Sequence, residues 1–260
     1  MKQIIQSCLL KIYARVVRTG LLSTSWSQSL FLTTYDLYKL HIEAGDIQAL
    51  RSYVKPGEVV IDIGANVGFF TKRFAQWVSD GGFVIAVEPE SSNFSLLLRN
   101  LDKSGTTSVV KTVQGVAAEQ SGTLKLAVNP IHPGDHKLAP EGIDVTSFTI
   151  DELVRKEPEA RVCLMKIDVQ GAEERVLRGA QETIQRDHPA ILVELDDEAL
   201  QQMGSSAERV VTWLMDLGYV IQRLGKNSSV GQVTVAEALG MCRNGRYADL
   251  LFIDASNAER

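Results

Sequence analysis

The stretch VVIDIGANVGFFTKRF, Val59 to Phe74, decides the fold. Its first half is an apolar, β-branched run, which is typical of a strand buried on both faces of a parallel sheet. Gly64 and Gly68 interrupt the run, and helical spacing resumes at Phe70. Glycines let the backbone approach a ligand closely, and a helix start offers unpaired N–H groups. The stretch predicts the strand–loop–helix unit of a nucleotide-binding site; a glycine-rich turn without a ligand stays open as the alternative.

The spacing of the glycines narrows the choice of ligand. They stand as G-x-x-x-G with Asp62 two residues ahead, whereas a dinucleotide-binding loop has G-x-G-x-x-G. The second apolar strand, FVIAVEPE, ends at Glu88. A carboxylate in this place can accept hydrogen bonds from both hydroxyls of a ribose. Because NAD sites share this feature, Glu88 indicates a nucleoside cofactor without selecting one.

Length and composition bound the class of protein. The 260 residues suffice for one large domain with an appendage, and we predict a helical segment over 1–55 and an α/β domain over 56–260. A net charge of −5 argues against nucleic acid as the main partner. No apolar run approaches the roughly 18 residues of a membrane-spanning helix. Cys8, Cys163 and Cys242 are widely spaced and suggest neither a disulfide framework nor a zinc site, so we expect a cytoplasmic protein.

The N-terminal segment differs from the rest of the chain. Apolar residues recur at helical spacing from Ile4 to Val17, and basic residues lie between them. The basic residues are Lys2, Lys11, Arg15 and Arg18. A basic amphipathic helix can lie on an anionic membrane surface, or it can cover a face of the main domain. We favour packing and keep peripheral membrane contact as the alternative; the oligomeric state is not readable.

Charged residues stand at the ends of two later strands. Lys166 and Asp168 lie two apart in the apolar run VCLMKID, hence on one face of the fourth strand. Since a buried charge is costly unless it is paired, they are expected to pair with each other or with Asp62. Asp168 also falls at the carboxyl end, where open α/β sheets bind ligands. Glu194 ends the fifth strand, AILVELD, in the same way.

Residues 129–144, NPIHPGDHKLAPEGID, form the most irregular part of the chain. A loop of this length without periodicity is usually functional or disordered. His132 and His136 could supply a base or a metal ligand, although histidines in a polar loop are more often solvated. We keep His136 as a candidate for catalysis.

Several segments together resemble one protein family. The pattern D-x-G-x-x-x-G resembles motif I of the S-adenosylmethionine (SAM) methyltransferases. Further segments between Val59 and Glu194 resemble the FkbM-type methyltransferases: VVIDIGANVGFFT, IAVEPESSNFSLLLRNL, VTSFTIDEL, LMKIDVQGAEERVLRGA and ILVEL. The fourth of them is the most distinctive, and it has Gln170 where the family usually has Glu.

The resemblance implies a fold and a cofactor. The expected fold is α/β, a Rossmann-like class I methyltransferase with a seven-stranded, mostly parallel sheet, an antiparallel last strand and the N-terminal helical segment. The implied cofactor is SAM, with the methionine end at the glycine loop, the ribose at Glu88 and the adenine near Gly115 to Ala117. The cofactor-binding residues expected on this basis are Asp62, Gly64, Asn66, Gly68, Glu88 and Ala117.

The implied reaction is O-methylation of a sugar, glycolipid or natural-product hydroxyl. Methyl transfer is an in-line displacement, so the protein mainly aligns the reactants, and the hydroxyl needs a positioned base. Asp168 is the first candidate, followed by Glu194, Lys166 and His136. Asp168 and Glu194 could also hold Mg²⁺, a hard cation, but the sequence does not support it, since Gln170 lacks the family's charge.

Two other functions stay open at this point. An NAD(P)-dependent oxidoreductase would also use a carboxylate such as Glu88 to bind a ribose. The chain lacks, however, the G-x-G-x-x-G loop and a residue pair for hydride transfer. A non-catalytic methyltransferase-like binding module would keep the cofactor pocket and lose turnover. SAM binding without methyl transfer to any hydroxylated acceptor would favour this module.

Overall fold

A computed structural model of the chain describes residues 47–129, 134–224 and 230–257. The predicted basic N-terminal helix and His132 lie outside these residues, so membrane contact and the division at residue 55 stay predictions. Within the described ranges, no helix has both the length and the apolar composition needed to cross a bilayer.

Strands and helices alternate along most of the described chain. The strands are β1 (Val59–Ile63), β2 (Phe83–Glu88), β3 (Val110–Gln114), β4 (Val116–Ala117), β5 (Gly122–Ala127), β6 (Lys137–Leu138), β7 (Ile143–Phe148), β8 (Val162–Ile167), β9 (Ala190–Asp196), β10 (Tyr219–Leu224), β11 (Val230–Gln232) and β12 (Tyr247–Asp254). The α-helices are α1 (Phe69–Trp77), α2 (Ser91–Ser104), α3 (Ile150–Arg155), α4 (Glu173–Arg178), α5 (Gln181–Asp187), α6 (Asp197–Gln202), α7 (Ala207–Asp216) and α8 (Val235–Cys242). A 3-10 helix, Ile47–Tyr53, precedes β1.

The main sheet has the order β11-β10-β12-β9-β8-β1-β2-β3. Strands β3, β2, β1, β8 and β9 are parallel, and β12 runs antiparallel between β9 and β10. The predicted Rossmann-like α/β class, with its antiparallel last strand, is confirmed. The expected number of seven strands is too low for the described sheet, because β11 pairs with β10 and adds an eighth strand at the edge.

A second sheet, of order β4-β7-β5-β6, was not predicted. The chain leaves the main sheet at Gly115, directly after β3, and enters the second sheet at β4. A side chain at Gly115 would meet Thr146 O at 2.5 Å, so strand β7 passes too close for anything but glycine. The predicted long loop 129–144 is also shorter than expected, since it contains β6 and the start of β7.

Helices cover both faces of the main sheet because its strands are apolar on both sides. On one face α1 and the 3-10 helix pack on the strands, with Leu50 and Phe74 against Val60 and Leu192. On the other face α3, α4, α5, α7 and α8 form the larger core. The strands are thereby fixed, and their carboxyl ends form one rigid edge.

Side chains cap the starts of two helices. Helix α2 is capped by the Glu90 carboxylate, which accepts from Asn93 N. Helix α7 is capped by Ser206, whose side chain accepts from Arg209 N, while Ser205 donates to Glu174.

Candidate functional site

The loop from β1 to α1 is attached to the end of β2 through backbone hydrogen bonds. The amides of Gly64 and Ala65 both donate to Val87 O at 3.0 Å. The Asn66 amide donates to Glu88 Oε2 at 2.8 Å, and the Glu90 amide donates to Oε1 at 3.0 Å. Asn66 has a positive φ of 50°, which turns its amide toward the carboxylate. Glu88 is therefore fixed at the sheet edge by neighbouring backbone.

Burial dominates the electrostatics of Glu88. The residue is almost fully buried, and this raises the pKa of its carboxyl to about 7, although the two amide hydrogen bonds oppose the shift. The Asn93 side chain is also hydrogen-bonded to Glu88. Because a carboxylate offers about four acceptor positions, Glu88 can still accept a hydroxyl group, most strongly when it is ionised.

A buried ionic group lies next to this loop. Lys166 Nζ is 3.2 Å from Asp168 Oδ2 and 3.7 Å from Asp62 Oδ1, and it donates to Gly64 O at 3.0 Å. Thr71 Oγ1 donates to Asp62 Oδ2 at 2.6 Å, while Asp62 Oδ1 is buried without a hydrogen bond. Burial raises the pKa of Asp62, and Lys166 opposes that shift. The expected pairing of Lys166 with both aspartates is confirmed.

Asp168 is the member of this group that reaches the surface. Its side chain is 21% exposed, whereas those of Lys166 and Asp62 are 5% and 0% exposed. The Asp168 amide donates to Ile63 O at 3.1 Å, which continues the pairing of β8 with β1. A carboxylate held by a buried lysine is thus presented at the carboxyl edge, where open α/β sheets bind ligands.

The turn after β8 was only partly anticipated. Glu173 Oε1 accepts the amides of Val169 at 3.2 Å and Gly171 at 3.1 Å. Gln170 lies between them with a φ of 54°. Its Nε2 donates to Asp168 Oδ1 at 3.3 Å and to Glu194 Oε1 at 3.2 Å. The turn therefore connects the acidic ends of β8 and β9 through one side-chain amide.

Asp249 is a candidate site residue that the sequence did not reveal. In the register of β12 against β9 it stands directly opposite Glu194. Side chains opposite each other on antiparallel strands lie on one face, roughly 4.5–5.5 Å apart at Cβ. A signal existed in ADLLFID, where an aspartate precedes a buried apolar run. The register that gives it meaning comes from pairing with a strand distant in sequence.

The structure brings together most of the residues predicted from the sequence. Around the edge formed by β2, β1, β8 and β9 lie Asp62, Gly64, Asn66, Glu88, Lys166, Asp168 and Glu194. Gly68 begins α1 and faces Leu97, since a Cβ there would lie 2.7 Å from that side chain. Its expected contact with a ligand therefore receives no support from its surroundings.

Two predicted residues lie in the second sheet or beside it. The Ala117 side chain is buried in the main core with Ile85 and Ile150, so only backbone near it could face a ligand. His136 precedes β6, and its Nδ1 accepts the Asn129 amide at 3.1 Å. That nitrogen is engaged as an acceptor and is unavailable as a base while the bond persists.

A comparison with protein families matches the part of the chain that contains the candidate site. A family model described as Methyltransferase FkbM domain matches residues 62–221, more than half of the 260 residues. The chain belongs to the FkbM methyltransferase family. The match begins at Asp62, before the glycine loop, and ends in β10, so it includes Glu88, Asp168 and Glu194.

Three relatives illustrate how this FkbM chain compares with known proteins. Hexuronic acid methyltransferase AglP of Haloferax volcanii is 30% identical over 141 residues, covering 54% of this chain and 56% of AglP. Methyltransferase sdnD of Sordaria araneosa is 27% identical over 157 residues, covering 47% and 60%. The 31-O-demethyl-FK506 methyltransferase FkbM of Streptomyces tacrolimicus is 26% identical over 189 residues, covering 55% and 72%. The chain spans about half to three-fifths of the first two.

A solved structure is similar over a larger share of the chain. The crystal structure of methyltransferase FkbM from Methylobacillus flagellatus covers 96% of this chain and 59% of its own, with a TM-score of 0.49 at 14% identity.

The FkbM family implies SAM, and the residues at the edge fit such a cofactor. A nucleoside with a cationic amino acid end needs acceptors, and the edge provides carboxylates in two places, Glu88 for a ribose and Asp62 for an ammonium. The buried Asp62 Oδ1, without a hydrogen bond, is one acceptor position that the chain itself leaves open.

A magnesium ion between Asp168 and Glu194 is not supported. The Gln170 amide nitrogen stands within hydrogen-bond distance of both carboxylates, where a cation would have to bind. Among the described residues, no group of three or more His, Cys, Asp and Glu side chains is arranged to hold a metal ion. The expectation that Gln170 weakens a metal site therefore agrees with the geometry.

Proposed function

We propose that this chain is a SAM-dependent O-methyltransferase that acts on a hydroxyl of a sugar, glycolipid or natural product. One observation carries the proposal. In a chain of the FkbM family, Asp168 is held by the buried Lys166 at the carboxyl edge of the sheet, two strands from Glu88. This arrangement supports a base next to a nucleoside cofactor.

Two relatives support the class of acceptor. The name of AglP specifies a hexuronic acid, and that of the Streptomyces tacrolimicus relative specifies an O-demethyl compound. Both are hydroxylated molecules, which agrees with a carboxylate base and in-line transfer. An acceptor screen distinguishes a glycan from a smaller natural product as the acceptor of this chain.

Each half of the edge has a role in this proposal. The loop at Asp62 and Gly64 would hold the methionine end, Glu88 the ribose, and the backbone from Gly115 to Ala117 the adenine. When bound, the cofactor supplies an electrophilic methyl group on a sulfonium. The chain holds the acceptor hydroxyl in line with that methyl, because alignment supplies most of the rate in a displacement.

Asp168 takes the hydroxyl proton as the oxygen attacks. Lys166 holds the Asp168 carboxylate through an ion pair of 3.2 Å. Asp168 Oδ2 contacts Lys166, Oδ1 accepts from Gln170, and 21% of the side chain is exposed at the edge. Lys166 itself is buried and paired, so it acts on the base and not on the acceptor. Glu194 is the second candidate for the base.

The first experiment is calorimetric titration with S-adenosylhomocysteine and, separately, NADH. Micromolar binding of the first compound alone is expected. Release of S-adenosylhomocysteine from SAM is then measured with methyl hexosides, methyl hexuronosides and macrolide alcohols. Asp168→Asn should lower kcat by about 10²–10⁴-fold, the usual contribution of a general base, with unchanged affinity for S-adenosylhomocysteine.

A matched control separates this effect from a general loss of charge. Asp144 is an exposed aspartate of the second sheet, paired with Lys125, and Asp144→Asn should leave kcat unchanged. Binding without turnover on any acceptor would favour the non-catalytic module. An Asp168→Asn variant as active as the wild type would transfer the role of base to Glu194.

A further inference from the structure

The turn between β8 and α4 holds a residue in an unusual conformation. Gln170 has a φ of 54°, a left-handed backbone conformation that side chains other than glycine and asparagine rarely adopt. The Glu173 carboxylate accepts the amides on either side of it. Gly171 follows with no room for a side chain, since a Cβ would lie 2.5 Å from Ala199 O. The surrounding contacts therefore impose this conformation on Gln170.

The conformation directs the Gln170 amide to two carboxylates at once. Its nitrogen lies 3.3 Å from Asp168 Oδ1 and 3.2 Å from Glu194 Oε1. Because carboxylates only accept hydrogen bonds, the amide must present its NH₂ end to them. Such bonds, from a donor to charged acceptors, are stronger than neutral ones.

The charges around this amide explain why a donor is needed there. On the β1 side, Lys166 already contacts Asp168 and Asp62. On the β9 side, Glu194 stands opposite Asp249 of β12, and the buried Glu173 lies in the turn itself. Like charges opposite each other on neighbouring strands are destabilising. Two N–H dipoles between Asp168 and Glu194 reduce their repulsion and fix their side chains.

We propose that Gln170 is a positioning residue for methyl transfer, which holds Asp168 toward the acceptor by binding Asp168 and Glu194 together. The inference rests on the proposed function, because it assigns Gln170 a part in that same reaction. A glutamate could not take this part, since it would add a third carboxylate to the pair instead of two donors.

The kinetic test replaces the Gln170 side chain with methionine, which has about the same length but no amide group. Gln170→Met should lower kcat about 10–100-fold, because displacement of a reacting group by about 1 Å can cost 10²-fold. The KM for SAM and the affinity for S-adenosylhomocysteine should not change. Gln170→Glu should be slower still. A kcat for Gln170→Met within twofold of the wild type, or a loss that appears only in the KM for SAM, would overturn the proposal.

A matched control uses another glutamine amide that binds a carboxylate. Gln201 Nε2 donates to Asp197 Oδ2 at 3.0 Å within α6, the helix that follows β9. Gln201→Met should leave kcat unchanged. An equal loss in both variants would mean that kcat responds to stability and would overturn the positioning role.

A spectroscopic test needs no acceptor. The side-chain NH₂ signals of Gln170 in an amide correlation spectrum are identified by their loss in Gln170→Met. They should shift in Asp168→Asn and in Glu194→Gln. Signals that move in neither variant would overturn the inference whatever the turnover. If the signals shift in both variants but the wild-type protein methylates no acceptor, the contact is upheld and the proposed function is overturned.

Discussion

The two halves of the candidate site are built in different ways. The cofactor half, Asp62 to Glu90, is one continuous stretch in which a loop is fastened to the next strand by nearby amides. The acceptor half consists of Lys166, Asp168, Gln170, Glu194 and Asp249, which come from three strands and a turn. The hydrogen bonds of the first half join two strands that follow each other in the chain, whereas the second half also depends on β12, which enters the sheet between β9 and β10.

The difference matters because the two halves meet where β1 pairs with β8. The Lys166 ammonium donates to Gly64 O, and the Asp168 backbone passes directly beside Gly64. The glycine loop of the cofactor half is thus packed directly against the peptide group of Asp168, which belongs to the acceptor half. A change at this contact should affect both halves, whereas a change elsewhere should affect one.

The largest effect is expected at that contact. Gly64 has a φ of +75°, and a Cβ there would lie 1.9 Å from Asp168 O. Gly64→Ala should lower the free energy of unfolding by about 3 kcal/mol or more, since overpacking typically costs about 1–3 kcal/mol and the left-handed backbone about 1–2 kcal/mol. Binding of S-adenosylhomocysteine should be lost. Chemical denaturation and calorimetry measure the two quantities.

Gly81→Ala is the control for this change. Gly81 has a φ of +87° but nothing within 4 Å of its missing Cβ, so only the backbone cost applies. Its unfolding free energy should fall by about 1 kcal/mol, with normal binding. Equal losses in the two variants would contradict the contact between the halves.

An intermediate effect, limited to the cofactor half, is expected for Glu88→Gln. Both oxygens of Glu88 accept backbone amides, so a glutamine would turn its NH₂ against one of these donors. Affinity for S-adenosylhomocysteine at pH 8 should fall about 10–100-fold, the equivalent of one lost charged hydrogen bond of about 1.5–3 kcal/mol. In the wild type, affinity should weaken as the pH falls through 7, because Glu88, with a pKa of about 7, becomes protonated.

Glu173→Gln sharpens this comparison because burial raises the pKa of Glu173 to about 7 as well. Glu173 uses one oxygen for both backbone amides, so a glutamine can keep these bonds. When a carboxyl group has a higher pKa in the folded than in the unfolded state, the free energy of unfolding of the protein falls as the pH rises from about 4.5 to 7. Glu173→Gln removes this loss, and its unfolding free energy at pH 8 should exceed that of the wild type.

The two glutamate variants are distinguished by urea unfolding at pH 5 and pH 8 together with calorimetry. Glu173→Gln should bind S-adenosylhomocysteine as the wild type does. If it weakens binding as much as Glu88→Gln, the assignment of Glu88 to the ribose is not specific.

The smallest effect is expected for His136→Ala, which concerns the edge of the acceptor half. The His136 ring already accepts the Asn129 amide through Nδ1. Its removal should change kcat less than about threefold, far from the 10²–10⁴-fold that a general base contributes. Initial rates of S-adenosylhomocysteine release measure this, and a loss beyond a hundredfold would make His136 the base.

The sequence predicted the main sheet well because its signals are local. Apolar runs of strand length, glycines at the first turn and an acid at the end of β2 are all readable within a few residues. The pairing of Lys166 with Asp62 and Asp168 was predictable too, since a buried lysine requires carboxylates and few lie nearby. The second sheet was missed because β4 and β6 have only two residues each and because β4 follows β3 after the single residue Gly115.

Residues of the acceptor half were harder to predict. Asp249 joins Glu194 only through the antiparallel register of β12, and the sequence does not state that register. Gln170 stood out as a departure from the family pattern, but its two hydrogen bonds depend on a left-handed turn that Glu173 and Gly171 impose. His136 stays a candidate from the sequence, which did not reveal that its Nδ1 accepts the Asn129 amide.

The sequence alone determined the family, the class of fold and the cofactor half, because these depend on residues that are close along the chain. Tertiary structure alone decided which side chains of distant strands share the edge, how the amide of Gln170 is aimed and where the chain leaves the main sheet. The physical reason is that hydrogen bonds within a loop follow from its own residues, whereas strand order and register follow from packing of the whole core.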